Sequence, residues 1–277
     1  MCKQNIQLIA TDLDDTLLRD DLTISDFTQD VLSRARDAGA RVILASGRMI
    51  PAMMRYVDQL QLAEPIIASN GAQIYDPQTR RMLQEITFSA GLAKEVCRAA
   101  EARNQYIQVY YGDRFYYPYE CDYARRYMAS TGMRGECVHQ PLSQFIDRPT
   151  VKLLIFGEQE NMPGLRDEMA RLFAGRLNAY ISKAFYLEFT HPEADKANAL
   201  RFLADQMGIS PQAAACFGDS QNDLTMLKWA GMGVCVANAR ENIRAQVAHS
   251  TKSNNEDGVA AFVEALLQEN RLGTTGA

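Results

Sequence analysis

The sequence is poor in histidine and lacks paired cysteines, and both shortages limit the metal sites that it can build. Its 277 residues include only three histidines, far apart at His139, His191 and His249, and six scattered cysteines without a C-x-x-C pair. A zinc site built on histidine is therefore not expected. Scattered cysteines in a chain of this length favour reduced thiols and a cytoplasmic location over a disulfide framework. Any metal should be a hard cation held by oxygen atoms.

Long apolar runs and an excess of positive charge are also missing. No stretch approaches the ~20 apolar residues that span a bilayer, and "MCKQNIQLIATDLDD" reaches acidic residues too early for a secretory signal. The formal net charge of −5 gives no electrostatic reason to expect a nucleic-acid backbone or an anionic membrane as a partner. A small anionic substrate stays possible, because a local pocket can override the net charge.

What the sequence does contain is an alternation of strand and helix signals at both ends of the chain. The apolar runs Ile6 to Ala10, "ARVILAS" and "EPIIASNGAQIY" are typical of buried strands, and Ser25 caps a predicted helix over 26–38. The alternation resumes from Lys196 to the last predicted helix, "EDGVAAFVEALLQEN". This order predicts an α/β fold with a doubly wound parallel sheet.

The middle of the chain has a different pattern, in which strands come in pairs. The tyrosine-rich stretch "YIQVYYGDRFYYPY" contains Gly112-Asp113 at its centre, which indicates a hairpin. We therefore predict an inserted α/β domain over 84–188 and a core made of 1–83 and 189–277. The tail over 271–277 is predicted to be disordered.

Four short polar motifs fall at the ends of predicted parallel strands or beside them. They are "DLDDT" after the first strand, "SGR" after the second, Lys196 at a helix start, and "GDSQND" after "AAACF". Ligands of an open parallel sheet bind at its carboxyl edge, so these motifs should meet. Asp12 and Asp219 would then share Mg²⁺, which prefers oxygen ligands and keeps positions for water and substrate phosphate.

The other groups at this edge suit a phosphoryl group. It would be surrounded by the Ser46 hydroxyl, the backbone N–H groups near Leu13 and Gly47, and the Lys196 ammonium at a helix N-terminus. A cation and a lysine are what allow an aspartate to approach phosphate. The pattern predicts an aspartate nucleophile facing a bound phosphoryl group.

The motifs together resemble those of the haloacid dehalogenase-like hydrolase superfamily, and specifically of its Cof-type phosphatases. The resemblance covers nearly the whole chain. It rests on the order and spacing of "LIATDLDDTLL", "VILASGR", "IIASNGAQIY", "LEFTHPEADKANAL", "CFGDSQNDLTML", "GVCVANA" and "SNNEDGVAAFVEALL". It implies a Rossmann-like core and a large inserted cap that closes over the site and selects the substrate.

The resemblance also implies roles for individual residues. Asp12 attacks phosphorus and forms an aspartyl-phosphate, and Asp14 protonates the leaving alcohol and later activates water. The implied Mg²⁺ ligands are Asp12, the backbone carbonyl of Asp14, Asp219 and Asp223. The implied phosphate ligands are Ser46 and Lys196, with Asn222 assisting or orienting Lys196.

Some assignments stay open at this stage. Asp15 and Ala197 stand where the family has glycine; aspartate tolerates turn geometry, so Asp15 should preserve its loop and point away from the metal. Asn70 is either a tight-turn residue or a substrate contact. Arg48 either meets the substrate or pairs with a surface carboxylate.

The leading function is a Mg²⁺-dependent phosphatase for small phosphorylated metabolites, such as sugar phosphates or flavin- or pyridoxal-type phosphates. A phosphomutase would use the same aspartyl-phosphate, and a non-catalytic metabolite-binding protein would be expected to have lost Asp12, Asp14 or Lys196. A signalling receiver fits poorly, because its phosphoacceptor would end the third strand, where Ser69-Asn70 stands. The chain is expected to be a monomer or a homodimer.

Overall fold

The computed structural model describes residues 5–273. Within them the strands are, in chain order, β1 (Leu8–Thr11), β2 (Arg41–Leu44), β3 (Ile66–Ala68), β4 (Gln73–Asp76), β5 (Arg81–Glu85), β6 (Tyr106–Tyr111), β7 (Arg114–Tyr117), β8 (Arg134–Cys137), β9 (Leu153–Phe156), β10 (Asn178–Lys183), β11 (Tyr186–Thr190), β12 (Ala214–Gly218), β13 (Met232–Cys235) and β14 (His249–Ser250). The helices are α1 (Asp26–Asp37), α2 (Ile50–Gln59), α3 (Ala90–Glu101), α4 (Asp122–Thr131), α5 (Leu142–Phe145), α6 (Met162–Leu172), α7 (Lys196–Met207), α8 (Leu224–Trp229), α9 (Glu241–Arg244) and α10 (Gly258–Gln268).

The core is built on a parallel sheet with the strand order β14-β13-β12-β1-β2. Side chains alternate across it: Ile9 packs in one apolar cluster with α1 and α10, whereas Leu8 and Ala10 pack in another with α7 and α8. Helices thus cover both faces, which explains why the central strands are uninterrupted apolar runs. The predicted α/β fold with a parallel core is confirmed.

The run "EPIIASNGAQIY" forms two strands instead of the single third strand that its apolar pattern predicts. β3 pairs with β4 in an antiparallel hairpin, and β4 pairs with β5. Ser69, Asn70 and Gly71 all have positive φ angles, of 52°, 57° and 92°, and they reverse the chain between the two strands. A parallel bridge between Ala45 and Ile67 joins this hairpin to the edge of the core sheet.

The cap contains a six-stranded sheet in the order β10-β11-β9-β6-β7-β8. The predicted hairpin around Gly112 is confirmed as β6 and β7. Gln84 and Glu85 pair with the core-side strand β4, whereas Phe189 and Thr190 pair within the cap sheet. The division into core and cap stays a prediction, and this strand pairing favours borders near residues 86 and 190.

One face of the cap sheet packs directly on the core. Its apolar cluster includes Tyr106, Tyr110 and Leu154 from the cap, together with Met49 and Ala72 from the core. The opposite face is covered by α3, α5 and α6 in a separate cluster. Because side chains alternate along a strand, every second residue of β6, β9 and β11 faces the core.

The two ends of the described chain lie together. Leu272 forms a parallel bridge with Ile6, and the Gly273 N–H donates to the Ile6 carbonyl. The prediction of a disordered tail is therefore wrong for 271–273, because these residues pair with the segment that leads into β1. Residues 274–277 lie outside the described part.

The five cysteines among the described residues are free, and Cys2 lies outside the described part. No helix among residues 5–273 has the length and apolar character needed to cross a membrane.

Candidate active site

The acidic turn after β1 lies at the carboxyl edge of the parallel sheet. Asp12 follows the last residue of β1, and its backbone N–H donates to the Phe217 carbonyl of the neighbouring β12 at 3.0 Å. A tight turn over Leu13–Leu17 comes next, in which Asp15 has a φ of 58°. Aspartate tolerates this left-handed conformation better than most residues. Asp15 preserves the turn, as predicted, and its side chain is exposed.

The loop after β12 places Asp223 behind Asp219. The Asp223 Oδ2 accepts the backbone N–H groups of Asp219 and Ser220, both at 3.1 Å. A Cβ on Gly218 would come within 2.4 Å of the Asp223 Cβ, so glycine at this strand end allows the loop to fold back so closely. The carboxylate of Asp223 thereby organises the backbone of its own loop.

Lys196 enters the site from the first residue of α7. Asp195 caps this helix by accepting the N–H groups of Ala197 and Asn198 at 2.8 and 3.1 Å. The turn at Gly71 packs against this helix start so tightly that a Cβ there would lie 2.3 Å from the Asp195 carbonyl oxygen. Ala197 lies within the helix, so its position does not require glycine.

The ammonium of Lys196 is buried between two carboxylates. Its Nζ donates to Asp12 Oδ1 and to Asp223 Oδ1, both at 2.6 Å. Burial lowers the pKa of Lys196, but attraction to the two aspartates outweighs burial and raises the pKa above its ordinary value. Burial and the charges of Asp223 and Asp14 raise the pKa of Asp12 to about 8, although Lys196 opposes this shift.

Three carboxylates converge here around one lysine, so the cluster has an excess of negative charge when all three are ionised. Oxygen atoms of Asp12, Asp219 and Asp223 all lie within 4.8 Å of one another. Burial and the neighbouring carboxylates raise the pKa of Asp219 well above its ordinary value. Thr16 donates to Asp219 Oδ1 at 3.1 Å and orients it. A set of close, buried oxygen ligands with uncompensated charge fits a hard divalent cation.

Asp14 is held by two cations, one from the core and one from the cap. Arg48 forms a bidentate pair with it, with distances of 2.7 and 2.8 Å, and Lys183 of β10 approaches Asp14 Oδ1 at 3.0 Å. Burial would raise the pKa of Asp14, but these two residues overcome that effect and lower it below its ordinary value. Arg48 thus pairs with a carboxylate of the site itself, which the sequence-based alternatives did not include.

The turn after β2 positions the predicted phosphate-binding residues. Ser46 is buried, and its Oγ accepts the Arg48 N–H at 3.1 Å. Gly47 and Arg48 line the same cavity as Asp12 and Asp14. The side chain of Leu13 is buried in the core, so only its backbone groups can face a ligand.

Asn70 and Asn222 form a buried bridge between core and cap. Asn222 Nδ2 donates to Asn70 Oδ1 at 2.8 Å, and Asn70 Nδ2 donates to Glu188 Oε2 of the cap at 2.8 Å. Both ends of the Asn70 amide are therefore engaged, which supports the turn interpretation over a direct substrate contact. Asn222 bonds to Asn70 and Ser220, whereas the orientation of Lys196 comes from Asp12 and Asp223.

Sequence reasoning missed the cap residues that reach the site, namely Lys152, Lys183 and Glu188. Lys152 and Glu188 are buried in the cap sheet and form an ion pair at 3.0 Å. The available signal was a single charged residue inside an apolar strand pattern, in "TVKLLIF" and in "YLEFT". That signal does not reveal a partner in the core, because the contacts of Lys152 with Gly47 and of Glu188 with Asn70 join residues more than a hundred positions apart.

These side chains enclose a small cavity between core and cap. Its volume is about 70 Å³, room for a few water molecules. Residues of both parts line it, among them Asp12, Asp14, Arg48, Lys183 and Asp219. Ligand pockets for metabolites are several times larger, roughly 300–1,000 Å³, so the cavity in this arrangement is too small for a whole metabolite.

Comparisons of this chain with known proteins indicate one family. Residues 9–263 match a family described as haloacid dehalogenase-like hydrolase. Phosphatase YwpJ of Bacillus subtilis is 29% identical, with 95% of this chain and 100% of that protein covered. The 5-amino-6-(5-phospho-D-ribitylamino)uracil phosphatase YitU of the same organism is 28% identical, with 93% and 96% covered.

A solved structure supports the same relationship. The crystal structure of a haloacid dehalogenase-like hydrolase from Bacteroides thetaiotaomicron has a TM-score of 0.83 and 28% identity to this chain. The match covers 94% of this chain and 99% of that one, so it includes both core and cap.

Proposed function

This chain belongs to the haloacid dehalogenase-like hydrolases, and we propose that it is a Mg²⁺-dependent phosphatase that acts on small phosphorylated metabolites through an aspartyl-phosphate on Asp12. One observation carries the proposal: Asp12, Asp219 and Asp223 converge around Lys196 at the carboxyl edge of the sheet, directly under the cap. A phosphatase activity agrees with the names of the curated relatives.

The residues that would hold the cation follow from the carboxylate cluster. Asp12, Asp219 and the backbone carbonyl of Asp14 would bind Mg²⁺, with Asp223 in or just behind this set because its oxygens already accept from Lys196 and from the loop backbone. A bound Mg²⁺ supplies positive charge that offsets both the carboxylates and the substrate phosphate.

The protein residues perform the bond changes. Lys196 bonds to Asp12 Oδ1, which leaves the other carboxylate oxygen to attack phosphorus while the bond to the leaving alcohol breaks. Phosphate competes with Asp14 for Arg48 and Lys183, and the loss of those contacts raises the pKa of Asp14, so that it takes up a proton from solvent and passes it to the leaving alcohol. Asp14 then takes a proton from the water that cleaves the aspartyl-phosphate. Ser46 and Lys196 hold the phosphoryl group.

The substrate class follows partly from the relatives. YitU is named for a phosphorylated ribitylaminouracil, a compound with a polyol chain and a ring. We propose a sugar phosphate or a flavin- or pyridoxal-type phosphate as the substrate, admitted when the cap moves away from the small cavity. A cytoplasmic location, the lack of nucleic-acid partners, and a monomeric or homodimeric state stay predictions.

The first test is phosphate release from a panel of such metabolites and from p-nitrophenyl phosphate, with Mg²⁺ and with a chelator. We expect release that stops on chelation and returns with Mg²⁺. Release that is indifferent to the chelator would contradict the metal assignment. No release across the panel, but isomerised product, would favour a phosphomutase.

The nucleophile is tested with Asp12→Asn and the matched control Asp15→Asn in the same turn. We expect Asp12→Asn to lower kcat by at least ~10³-fold, because an amide oxygen cannot form the phosphoenzyme, and to retain the fold. The exposed Asp15 lies outside the carboxylate cluster, and asparagine tolerates its positive φ, so Asp15→Asn should keep wild-type activity. Substantial activity in Asp12→Asn would exclude this residue as the nucleophile.

A further inference from the structure

Two oppositely charged residues lie inside the cap sheet, and the mechanism above does not use them. Lys152 precedes β9 and Glu188 lies in β11; only 1% and 4% of their surfaces are exposed, and their charged atoms are 3.0 Å apart. A buried ion pair contributes little net stability, because desolvation of both charges offsets their attraction. Such a pair in a mainly apolar and aromatic layer calls for a role other than stability.

Each of the two charged groups also reaches across to a turn of the core. The Lys152 Nζ donates to the Gly47 carbonyl at 2.9 Å, in the turn that carries Ser46 and Arg48. Glu188 Oε2 accepts from Asn70 Nδ2 at 2.8 Å. The cap thereby fixes two core turns that border the phosphate site.

The contact at Asn70 continues as a buried chain of hydrogen bonds into the catalytic cluster. Asn222 donates to Asn70 and accepts from the Ser220 hydroxyl. The backbone N–H of Ser220 donates to Asp223 Oδ2, and Asp223 Oδ1 accepts from Lys196. Side chains along this chain have less than a tenth of their surface exposed. Glu188, Ser220 and Asn222 also border the cavity, so a break at one end leaves polar groups that are unsatisfied or paired only with water in that cavity.

We infer that Glu188 and Lys152 are positioning residues, which place the Gly47 and Asn70 turns and, through Asn222 and Ser220, the loop that carries Asp219 and Asp223. The kinetic part of this inference rests on the proposed phosphatase function. On this inference, the phosphate site takes its final arrangement only when the cap docks on the core. Glu188 accepts from three donors, namely Asn70, Lys152 and Ser182, and a carboxylate is the only side-chain group with enough acceptor capacity and charge for all three.

The test replaces Glu188 with glutamine and compares it with Glu101→Gln. Glu101 is also a cap carboxylate with two hydrogen bonds, both from Ser143, but it lies outside the chain to the active site. We expect Glu188→Gln to lower kcat for p-nitrophenyl phosphate about tenfold or more, with a much smaller change in KM. Glu101→Gln should leave both constants unchanged. The double variant Lys152→Met/Glu188→Gln removes both buried charges, so it should fold and still have the low kcat.

A second measurement does not depend on activity. Amide hydrogen exchange over residues 218–224 should be faster in Glu188→Gln than in wild type or in Glu101→Gln, because the loop loses its connection to the cap. Unchanged protection in this segment would overturn the inference. So would a kcat that recovers together with stability in the double variant. Failure of the proposed function is distinguishable, since wild type itself would then release no phosphate.

Discussion

The core and the cap each contain a buried ionic cluster, and the two clusters differ in their charge balance. In the core, Lys196 faces Asp12, Asp219 and Asp223, so one cation meets three carboxylates. In the cap, Lys152 and Glu188 balance each other one to one. A balanced pair needs no further partner, whereas an unbalanced cluster fits an additional cation. The difference separates the proposed metal-binding site from the inferred positioning contact, although both consist of buried charged side chains.

A third ion pair joins the cap to the core and is more exposed than either of these clusters. Lys183 of the cap contacts Asp14 of the core at 3.0 Å. The two side chains are 28% and 20% exposed, respectively. Lys183 ends β10 near the turn of the β10–β11 hairpin, whereas Glu188 lies closer to the connection between cap and core. The greater exposure of the Lys183–Asp14 pair means that a substrate phosphate can reach it more readily than the Lys152–Glu188 pair.

The largest expected effect comes from removing the cation of the unbalanced cluster. Lys196→Met leaves Asp12 and Asp223 buried without their shared partner, and breaking a buried pair in this way costs roughly 3–5 kcal/mol of unfolding free energy. We expect that loss in urea denaturation, together with loss of phosphate release. The control Lys228→Met removes an exposed helix lysine with one hydrogen bond to Gln246. It should change stability by no more than about 0.5 kcal/mol; a loss as small in Lys196→Met would contradict the role of the cluster.

An intermediate effect on stability is expected from the binding of Mg²⁺, which adds positive charge to the carboxylate cluster. Mg²⁺ binds the folded state, so at about 100 times its Kd it should stabilise the protein by ~2.7 kcal/mol. Thermal denaturation should show a higher Tm with Mg²⁺ than with a chelator. Asp219→Asn removes one of the three carboxylates and should reduce this shift strongly. The exposed Asp205→Asn should retain the wild-type shift, and an equal shift in both variants would place the ion elsewhere.

The smallest effect on stability is expected at the partly exposed pair. Lys183→Met should cost less than about 1 kcal/mol, as should Arg176→Met, which breaks another cap ion pair with Glu95. The two variants should differ in kinetics: Lys183→Met should lower kcat/KM severalfold, roughly 3- to 10-fold, because the cavity loses a cation. Arg176→Met should keep the wild-type value. Equal kinetics in the two variants would show that Lys183 does not take part in the reaction.

Much of the core was predictable because its signals are local. The apolar run before Asp12 forms β1, and Ser25 caps the N-terminus of α1, as the sequence predicts. Both signals act within a few positions of the chain. Parallel strands that end at one edge bring Asp12, Gly47 and Asp219 to one cavity without further information. The turn at Ser69–Gly71 was the exception, since three successive positive φ angles split one apolar run into two strands.

The sequence by itself determined the α/β alternation, the acidic motifs and their family, because these depend on local periodicity and on motifs in a fixed order. Only the tertiary structure decided the partners of the charged groups: Arg48 and Lys183 on Asp14, and Glu188 on Asn70. These contacts join distant segments through the docking of cap on core. A buried charge in a strand signals that a partner exists, but its identity depends on which surfaces pack together, and local sequence does not encode that.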